Sequence, residues 1–297
     1  MKETLAGLGF DETPGLSFYG PKDMEIGKLS QPHWELANYL SVEQSFFRQT
    51  LLAGLFSSAG LNRGYFDEFD IFEIGRIFRK ESGDQVEEKM KISGLVLDKN
   101  KSEKELYYSA KGRLEKFLEI FIFDKVEFHP AEKWKKQIAG EGFFQSVGLS
   151  ALVYQGEFLG VLGLVHEKTA KAYGFKEKAA AFELDFEKIA AGSKKKKRFF
   201  SALRRFPSVK RDLAVLVDLK RPVAEIEKII YSSGGERLEK AELFDVFENQ
   251  KENKKSLAFH LAFGHSEKTL SSSEADILLD RIITRLEKQG AKIRKKE

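Results

Sequence analysis

The segment DLAVLVDLKRPVAEIEKIIYSSGG, residues 212–235, decides the fold of the C-terminal part of the chain. It opens with DLAVLVD, a run of aliphatic and β-branched residues that predicts a strand. Pro222 suits the first position of a helix, and isoleucines recur behind it at helical spacing until Gly234 and Gly235 end the pattern. The segment therefore predicts a strand followed directly by a helix.

Two further strands are predicted beyond this helix, at 238–248 and 256–263, with the polar loop NQKENKK between them. Ser271 and Glu274 have the spacing of a capping box, which predicts the start of a second helix. That helix ends near Gly290, and a short apolar stretch after it predicts a final strand. The order of the elements is therefore βαββαβ.

This order is that of a ferredoxin-like domain, here residues 199–297, in which two helices cover one face of a sheet. Alternation along the third strand turns its large apolar residues toward the helices and His260 toward the uncovered face. On the second strand, we take Phe244 and Val246 as the core pair and place Phe247 on the uncovered face. Phe247 and His260 could stack on RNA bases there. Packing of Phe247 against the first domain is the alternative.

Basic residues are concentrated in the C-terminal part, although the net charge of the whole chain is only +4. Residues 1–193 carry 25 basic and 30 acidic side chains, whereas residues 194–297 carry 25 basic and 16 acidic ones. Clustered cations favour a polyanionic partner, and an ordinary solvated surface is the alternative. The cationic candidates for contacts with RNA phosphates are Lys194, Lys195, Arg204, Arg205, Lys210 and Arg211.

The most distinct boundary is GSKKKKR at 192–198, where a Gly-Ser pair precedes five consecutive cations that resist burial. We place a linker there, so that residues 1–192 form a first domain. Its alternating helix and antiparallel-strand patterns indicate an α+β fold. The predicted elements are a helix over 41–60, strands over 71–78 and 92–98, a helix over about 105–121, a hairpin over 146–165 that turns at Gln155 and Gly156, and a strand containing Phe182 and Leu184.

No catalytic apparatus is recognisable in the sequence. It has no Walker-type phosphate loop, no dinucleotide-binding glycine pattern, no HExxH motif and no cysteine. The five histidines lack metal-ligand spacing, so we expect no catalytic residue, no metal site and no cofactor bound by this chain. The absence of a signal-peptide pattern and of a long apolar run favours a soluble cytoplasmic protein without membrane contact.

Motifs in both halves resemble phenylalanyl-tRNA synthetase β chains. In the C-terminal domain these are FPSVKRDLAVLVD (206–218), ELFDVFE (242–248), KSLAFHLAF (255–263) and KTLSSSEAD (268–276). Upstream, the matching motifs are LSVEQSFFRQTLLAGL (40–55), IFEIGRIF (71–78), GEFLGVLGLV (156–165) and FELDF (182–186). Because the motifs occur in the family's order, the resemblance covers nearly the whole chain.

The resemblance implies that the first domain is a degenerate relative of the class II synthetase catalytic fold, an antiparallel sheet without its own adenylation site. In the family this domain packs on a catalytic α subunit, which holds ATP and Mg2+, within an α2β2 heterotetramer. The ferredoxin-like domain of the family binds the anticodon stem and loop of tRNA. The chain is thus expected to be a non-catalytic part of a ligase that joins phenylalanine to tRNA.

For individual residues, the resemblance implies a subunit-interface or structural role for Arg48 and a subunit-interface role for Arg76. The resemblance also implies that the start of the second domain is shaped by Phe206, Pro207, Arg211 and Asp212. Of these, Arg211 is the candidate for an RNA or interface contact, and a purely structural role in fixing the first strand is its alternative.

Full-length β chains also contain a tRNA-binding module, an editing domain and a metal-contacting helical domain, and none of these matches the 297 residues. Editing and that metal site are therefore not expected here. A free-standing tRNA-binding or RNA-binding module derived from such a β chain is the alternative function, and an inactive fragment is a third possibility.

Overall fold

The computed structural model describes residues 1–29, 33–80, 85–121, 123, 126–195 and 206–293, without the side chains of Lys194 and Lys195. The chain divides into two compact units, Met1–Arg198 (unit 1) and Phe199–Glu297 (unit 2). Both mix helices with antiparallel strands, which confirms the predicted α+β class. Among the described residues, no helix is both long enough and apolar enough to cross a membrane.

Unit 1 contains six helices and nine strands within the described ranges. The helices are α1 (Lys2–Gly7), α2 (Pro21–Gly27), α3 (Leu52–Asn62), α4 (Glu103–Ile120), α5 (Glu167–Ala172) and α6 (Phe186–Lys195). The strands are β1 (Asp11–Glu12), β2 (Phe18–Tyr19), β3 (Phe46–Phe47), β4 (Glu68–Lys80), β5 (Val86–Asp98), β6 (Glu127–Pro130), β7 (Ser150–Tyr154), β8 (Glu157–Leu164) and β9 (Ala179–Asp185).

Seven of these strands form one sheet in the order β1-β4-β5-β9-β8-β7-β6, while β2 and β3 pair separately. All neighbours in the large sheet are antiparallel except β1 and β4. Alternation along β5 sends Leu95 toward a core shared with Phe56 of α3, and Val96 toward a core shared with Phe117 of α4. Helices therefore cover both faces of the sheet.

The predicted strands and hairpin of unit 1 are confirmed, because β4, β5, β7, β8 and β9 contain them. The hairpin turns at Gln155 and Gly156, whose φ angles are 51° and 82°. Two consecutive positive φ angles are the signature of the tight turns that join twisted antiparallel strands. Glycine suits the second of these positions because, without a Cβ atom, it adopts a φ of 82° at no steric cost.

The predicted helix over 41–60 is wrong in its first half. A short 3-10 turn occupies Val42–Gln44, Phe46–Phe47 form β3, and α3 begins only at Leu52. The intervening segment 48–50 is polar yet buried. Its contacts with the sheet, described below, override the helical spacing of the apolar residues around it.

Helix α6 extends into the predicted linker. Gly192 lies inside this helix, which continues to Lys195, and a Cβ atom at Gly192 would lie only 2.2 Å from Cζ of Phe123. The glycine therefore allows close packing against Phe123 and does not interrupt the helix. Positions 196–198 of the predicted linker lie outside the described residues.

Unit 2 follows the predicted βαββαβ order. Its elements are β10 (Val209–Asp218), α7 (Val223–Gly234), β11 (Leu238–Asn249), β12 (Lys254–Phe263), α8 (Ser272–Lys288) and β13 (Lys292–Ile293). The sheet order is β11-β12-β10-β13, with every described pair antiparallel. This is the ferredoxin-like arrangement, in which the first and third strands are central.

Helices α7 and α8 cover one face of this sheet. Ile226 of α7 and Ile282 of α8 are fully buried against Leu257 and Phe259 of β12. The predicted capping box is also present, since Ser271 Oγ accepts a hydrogen bond from the Glu274 backbone N–H at 3.2 Å and the Glu274 carboxylate accepts one from the Ser271 N–H at 2.8 Å. Among residues 206–293, no helix lies on the opposite face of the sheet.

Candidate nucleic-acid interface

The uncovered face of the unit 2 sheet is a shallow platform with small side chains at its centre. Ala258 and Ala262 lie on the central strand β12, and Ala214 lies beside Ala258 on β10. All three are only partly buried, whereas their neighbours along each strand point toward the helices and are buried. Such small side chains leave room for a planar group to lie against the sheet.

Aromatic rings lie on this platform. The ring of Phe244 stacks on that of His260, with centroids 3.8 Å apart and an interplanar angle of 10°. Phe247 pairs with Ser256 on the same face. Phe244 and Phe247 are 50% and 60% exposed, so each presents ring surface to solvent. Exposed aromatic rings on an open sheet are the groups on which nucleotide bases stack.

The prediction that Phe244 and Val246 form the core pair of β11 is wrong. A β-bulge between Leu243 and Asp245 changes the parity of the strand, so Leu243 packs on the core opposite Phe259 while Phe244 lies on the platform. Val246 is exposed at the sheet edge. No glycine marks the bulge, so strict alternation assigned Phe244 to the wrong face.

Charged groups border the aromatic pair. Lys210 and Lys240 are exposed and lie across β12 from each other. Asp212 and Glu242 flank His260, and the Asp212 carboxylate lies 2.7 Å from His260 Nδ1. Lys240 donates a hydrogen bond to Glu242 at 2.5 Å, and this bond is the main cause that lowers the pKa of Glu242. The platform thus places two lysines next to its aromatic rings, where phosphates can meet them.

Three residues predicted to bind RNA, Lys210, Phe247 and His260, share this platform. The sequence reasoning missed Phe244, Lys240 and Asp212, although alternation along β10 could have placed Asp212 beside His260. The predicted RNA-contacting residues that lie outside the described structure are Arg204 and Arg205, together with the side chains of Lys194 and Lys195.

Arg211 lies on the helix side of the sheet, away from the platform. Its Nε donates to the Asp276 carboxylate at 2.8 Å, and its Nη2 donates to Ser272 Oγ at 2.5 Å. Both partners belong to the first turns of α8. Arg211 therefore joins β10 to α8, and its geometry matches the structural alternative better than an RNA contact on the open face.

Unit 1 contains a buried polar row that crosses three neighbouring strands. Glu73 on β4 pairs with Ser93 on β5, and Ser93 pairs with Glu183 on β9. Each of the three residues is at most 6% exposed. Buried carboxylates are unfavourable without partners, and the segment 48–51 supplies them.

Arg48 is enclosed beside this row. Its Nη1 lies 2.7 Å from the Glu73 carboxylate, and its Nε donates to the carbonyl oxygen of Arg76 at 2.9 Å. A Cβ atom at Gly75 would lie 2.5 Å from Arg48 Nη2, so glycine is needed for this close approach. The guanidinium is thus engaged inside unit 1 and does not present itself to a partner chain or a nucleotide. The side chain of Arg76 is exposed, with Nε 3.5 Å from Glu88.

Glu183 holds the start of α3 on the sheet. Its Oε1 accepts three hydrogen bonds, from Thr50 Oγ1 at 2.8 Å, from the Leu51 backbone N–H at 2.9 Å and from Ser93 Oγ at 2.9 Å. These bonds explain why the segment before α3 is not helical. Within the described ranges, no group of three or more histidine, aspartate or glutamate side chains could hold a metal ion.

Comparison with protein families accounts for both units. The family model described as the phenylalanyl tRNA synthetase beta chain CLM domain matches residues 1–186. The chain belongs to the phenylalanyl-tRNA synthetase β-chain family. A second model, the ferredoxin-fold anticodon binding domain, matches residues 204–294 and so contains the whole platform. The resemblance inferred from the motifs is confirmed.

Curated relatives in this family align with almost the whole chain. The phenylalanine-tRNA ligase beta subunit of Carboxydothermus hydrogenoformans is 32% identical, over 99% of this chain and 38% of the relative. The beta subunit of Moorella thermoacetica is 33% identical, over 99% of this chain and 37% of the relative. That of Syntrophotalea carbinolica is 30% identical, over 99% and 38%. The chain therefore spans somewhat more than a third of the length of these relatives.

Proposed function

We propose that the chain is a non-catalytic part of a phenylalanyl-tRNA synthetase and that its unit 2 platform binds the anticodon region of tRNA. The observation that carries this proposal is the open sheet face, where Phe247 and the stacked Phe244 and His260 lie beside Lys210 and Lys240. Aromatic rings that stack on splayed bases, next to cations that contact phosphates, are the usual means of binding a single-stranded loop.

Support also comes from the match of this domain to an anticodon-binding family model. An anticodon loop presents unpaired bases, and a small-residue floor with exposed rings accepts planar bases without a deep pocket. The contribution of the chain to ATP-dependent phenylalanylation is then to hold tRNA, while the reaction itself takes place on another subunit.

We further propose that unit 1 packs on a catalytic α subunit, which holds ATP and Mg2+, in an α2β2 heterotetramer. Large exposed apolar side chains support a partner surface on unit 1, notably Leu40, Leu61 and Tyr65. The engagement of Arg48 with Glu73 supports placing the nucleotide on the partner, because this guanidinium is not free to bind a phosphate.

Size-exclusion chromatography tests the partner proposal. We expect the chain and the α chain of the same synthetase to co-elute, and the Leu40→Ser/Leu61→Ser/Tyr65→Ser variant to dissociate more readily because it removes apolar contact area. Leu16→Ser/Val147→Ser/Tyr108→Ser, which also removes three exposed apolar residues, is the control for nonspecific association. Two peaks that stay separate at every concentration would contradict the proposal.

Removal of the platform rings tests the RNA proposal. We expect Phe244→Ala/Phe247→Ala to weaken binding of a phenylalanine tRNA anticodon stem-loop by about 10- to 100-fold, since each base stacked on an aromatic ring contributes about 1–3 kcal/mol. Fluorescence anisotropy at fixed salt measures the change. Tyr65→Ala/Tyr108→Ala removes two exposed rings from unit 1 and should leave binding nearly unchanged. Equal losses in both variants, or none in either, would rule out the platform.

A further inference from the structure

The helix side of unit 2 has an open basic groove, distinct from the platform. The groove has a volume of about 690 Å³. Its lining consists of Arg281, Thr284, Arg285 and Lys288 of α8, with Ser232, Ser233 and Gly235 at the end of α7. An adjoining depression shares Ser232 and Arg285 with it and adds Arg221 and Lys228. We call these two depressions together the basic groove.

The cations of α8 form one stripe along the groove. At about 100° per residue, Arg281, Arg285 and Lys288 fall on the same side of the helix, whereas Asp280 and Glu287 are rotated by about 100° from that side. All three cations are exposed. The helix therefore separates its charges, with basic residues toward the groove and acidic ones away from it.

These cations are not compensated by neighbouring carboxylates. Among the described residues that line the basic groove, Glu225 is the single carboxylate, and it lies 3.4 Å from Arg221. Arg281, Arg285 and Lys288 form no ion pair within the part of the chain that the structure describes. Like charges three and four residues apart destabilise a helix, so this arrangement favours an anionic partner.

The helix dipole explains only part of the stripe. Arg285 and Lys288 lie in the last turn of α8, where cations interact favourably with the helix C-terminus. Arg281 lies about two turns from that end, beyond the range of the effect. Across the groove, the Ser233 hydroxyl of α7 can donate a hydrogen bond to a phosphate oxygen, whereas the Ser232 hydroxyl already donates to the Ile229 carbonyl oxygen at 3.1 Å.

We propose that the basic groove binds the sugar-phosphate backbone of a double-stranded RNA segment. Its charge complements a polyanion, and its openness suits a backbone better than an enclosed small ligand. The groove lies on the side of the unit 2 sheet opposite the platform, so it meets a different RNA segment from the loop. This proposal rests on the proposed function in that unit 2 acts in tRNA binding, and it adds a second, sequence-independent contact surface.

Salt-dependent binding of a short loop-free RNA duplex tests the groove with the full chain. We expect Arg281→Gln/Arg285→Gln/Lys288→Gln to make the negative slope of log affinity against log salt shallower by about 2 to 3. The same variant should weaken binding about 10-fold or more near 0.1 M salt. Arg281→Lys/Arg285→Lys keeps the charge and should keep the slope. Lys133→Gln/Lys135→Gln/Lys136→Gln removes three exposed cations from unit 1 and should leave the slope within error of wild type.

The slope separates the outcomes. The groove proposal is contradicted if Arg281→Gln/Arg285→Gln/Lys288→Gln keeps the wild-type slope. It is also contradicted if the slope changes by the same amount in Lys133→Gln/Lys135→Gln/Lys136→Gln. The failure of the two proposals is also distinguishable. If the groove variant shows a weaker salt dependence of duplex binding while Phe244→Ala/Phe247→Ala binds the stem-loop normally, the platform proposal fails and the groove proposal holds. If the groove variant keeps the wild-type salt dependence while Phe244→Ala/Phe247→Ala binds the stem-loop weakly, only the groove proposal fails.

Discussion

Replacing Arg48 by alanine is expected to destabilise unit 1 by about 3–5 kcal/mol, because it leaves the Glu73 carboxylate buried without its cation. Glu73 is 4% exposed, so water cannot replace the lost partner without opening the packing around β4. The variant also removes the hydrogen bond to the Arg76 carbonyl oxygen. Urea unfolding followed by tryptophan fluorescence measures the effect on unit 1 alone, since Trp34 and Trp134 are the two tryptophans of the chain.

Two matched variants separate the ion pair from other effects. Arg76→Ala removes an arginine whose side chain is exposed, and it should change stability by no more than about 1 kcal/mol. Arg48→Met/Glu73→Leu removes both charges at similar volume and should recover most of the loss, because no uncompensated charge remains. If Arg48→Ala were no worse than Arg76→Ala, the guanidinium would not have the structural role assigned to it here.

Replacing Glu183 by alanine is expected to lower the free energy of unfolding of unit 1 by about 3 kcal/mol or more. Three donors, Thr50 Oγ1, the Leu51 N–H and Ser93 Oγ, lose their acceptor in a region where all are buried. Each buried polar group left without a partner costs about 1–3 kcal/mol, and the three losses are not fully additive. The same fluorescence-monitored urea unfolding measures the change.

Glu183→Gln is the informative control, because the amide keeps an oxygen acceptor of the same shape. Glu183→Gln should lower the free energy of unfolding by about 1 kcal/mol, which is much less than the loss expected for Glu183→Ala. Glu187→Ala removes an exposed glutamate from α6 and should be almost neutral. Equal losses in the glutamine and alanine variants would show that negative charge, and not hydrogen bonding, holds the start of α3 on the sheet.

The elements of unit 2 were predictable because local signals agree with the fold. Strand alternation, the capping box at Ser271 and the terminating glycines each act within a few residues and need no distant contact. The same alternation also places Arg211 on the side of Leu213 and Val215, toward the helices, so its position could have been read from the sequence.

The sequence-based predictions were wrong where distant contacts or an irregular backbone determine the local structure. The segment 48–51 is fixed by Glu73 and Glu183, which lie on strands far away in sequence, so its helical spacing of apolar residues was misleading. Phe244 was misplaced because a bulge adds one residue to β11 without any glycine to signal it. The pairing of Phe244 with His260 therefore required the three-dimensional structure.

Site-specific photocrosslinking from position 247 tests the central claim most directly. A benzophenone amino acid replaces Phe247 in the full chain, phenylalanine tRNA is added, and the crosslinked nucleotide is mapped by primer extension. The same probe at Tyr65, an exposed aromatic residue of unit 1, is the control. We predict crosslinks from position 247 to the anticodon loop and none to that loop from position 65. Crosslinks from position 247 confined to the acceptor arm would contradict the assignment of the platform to the anticodon region.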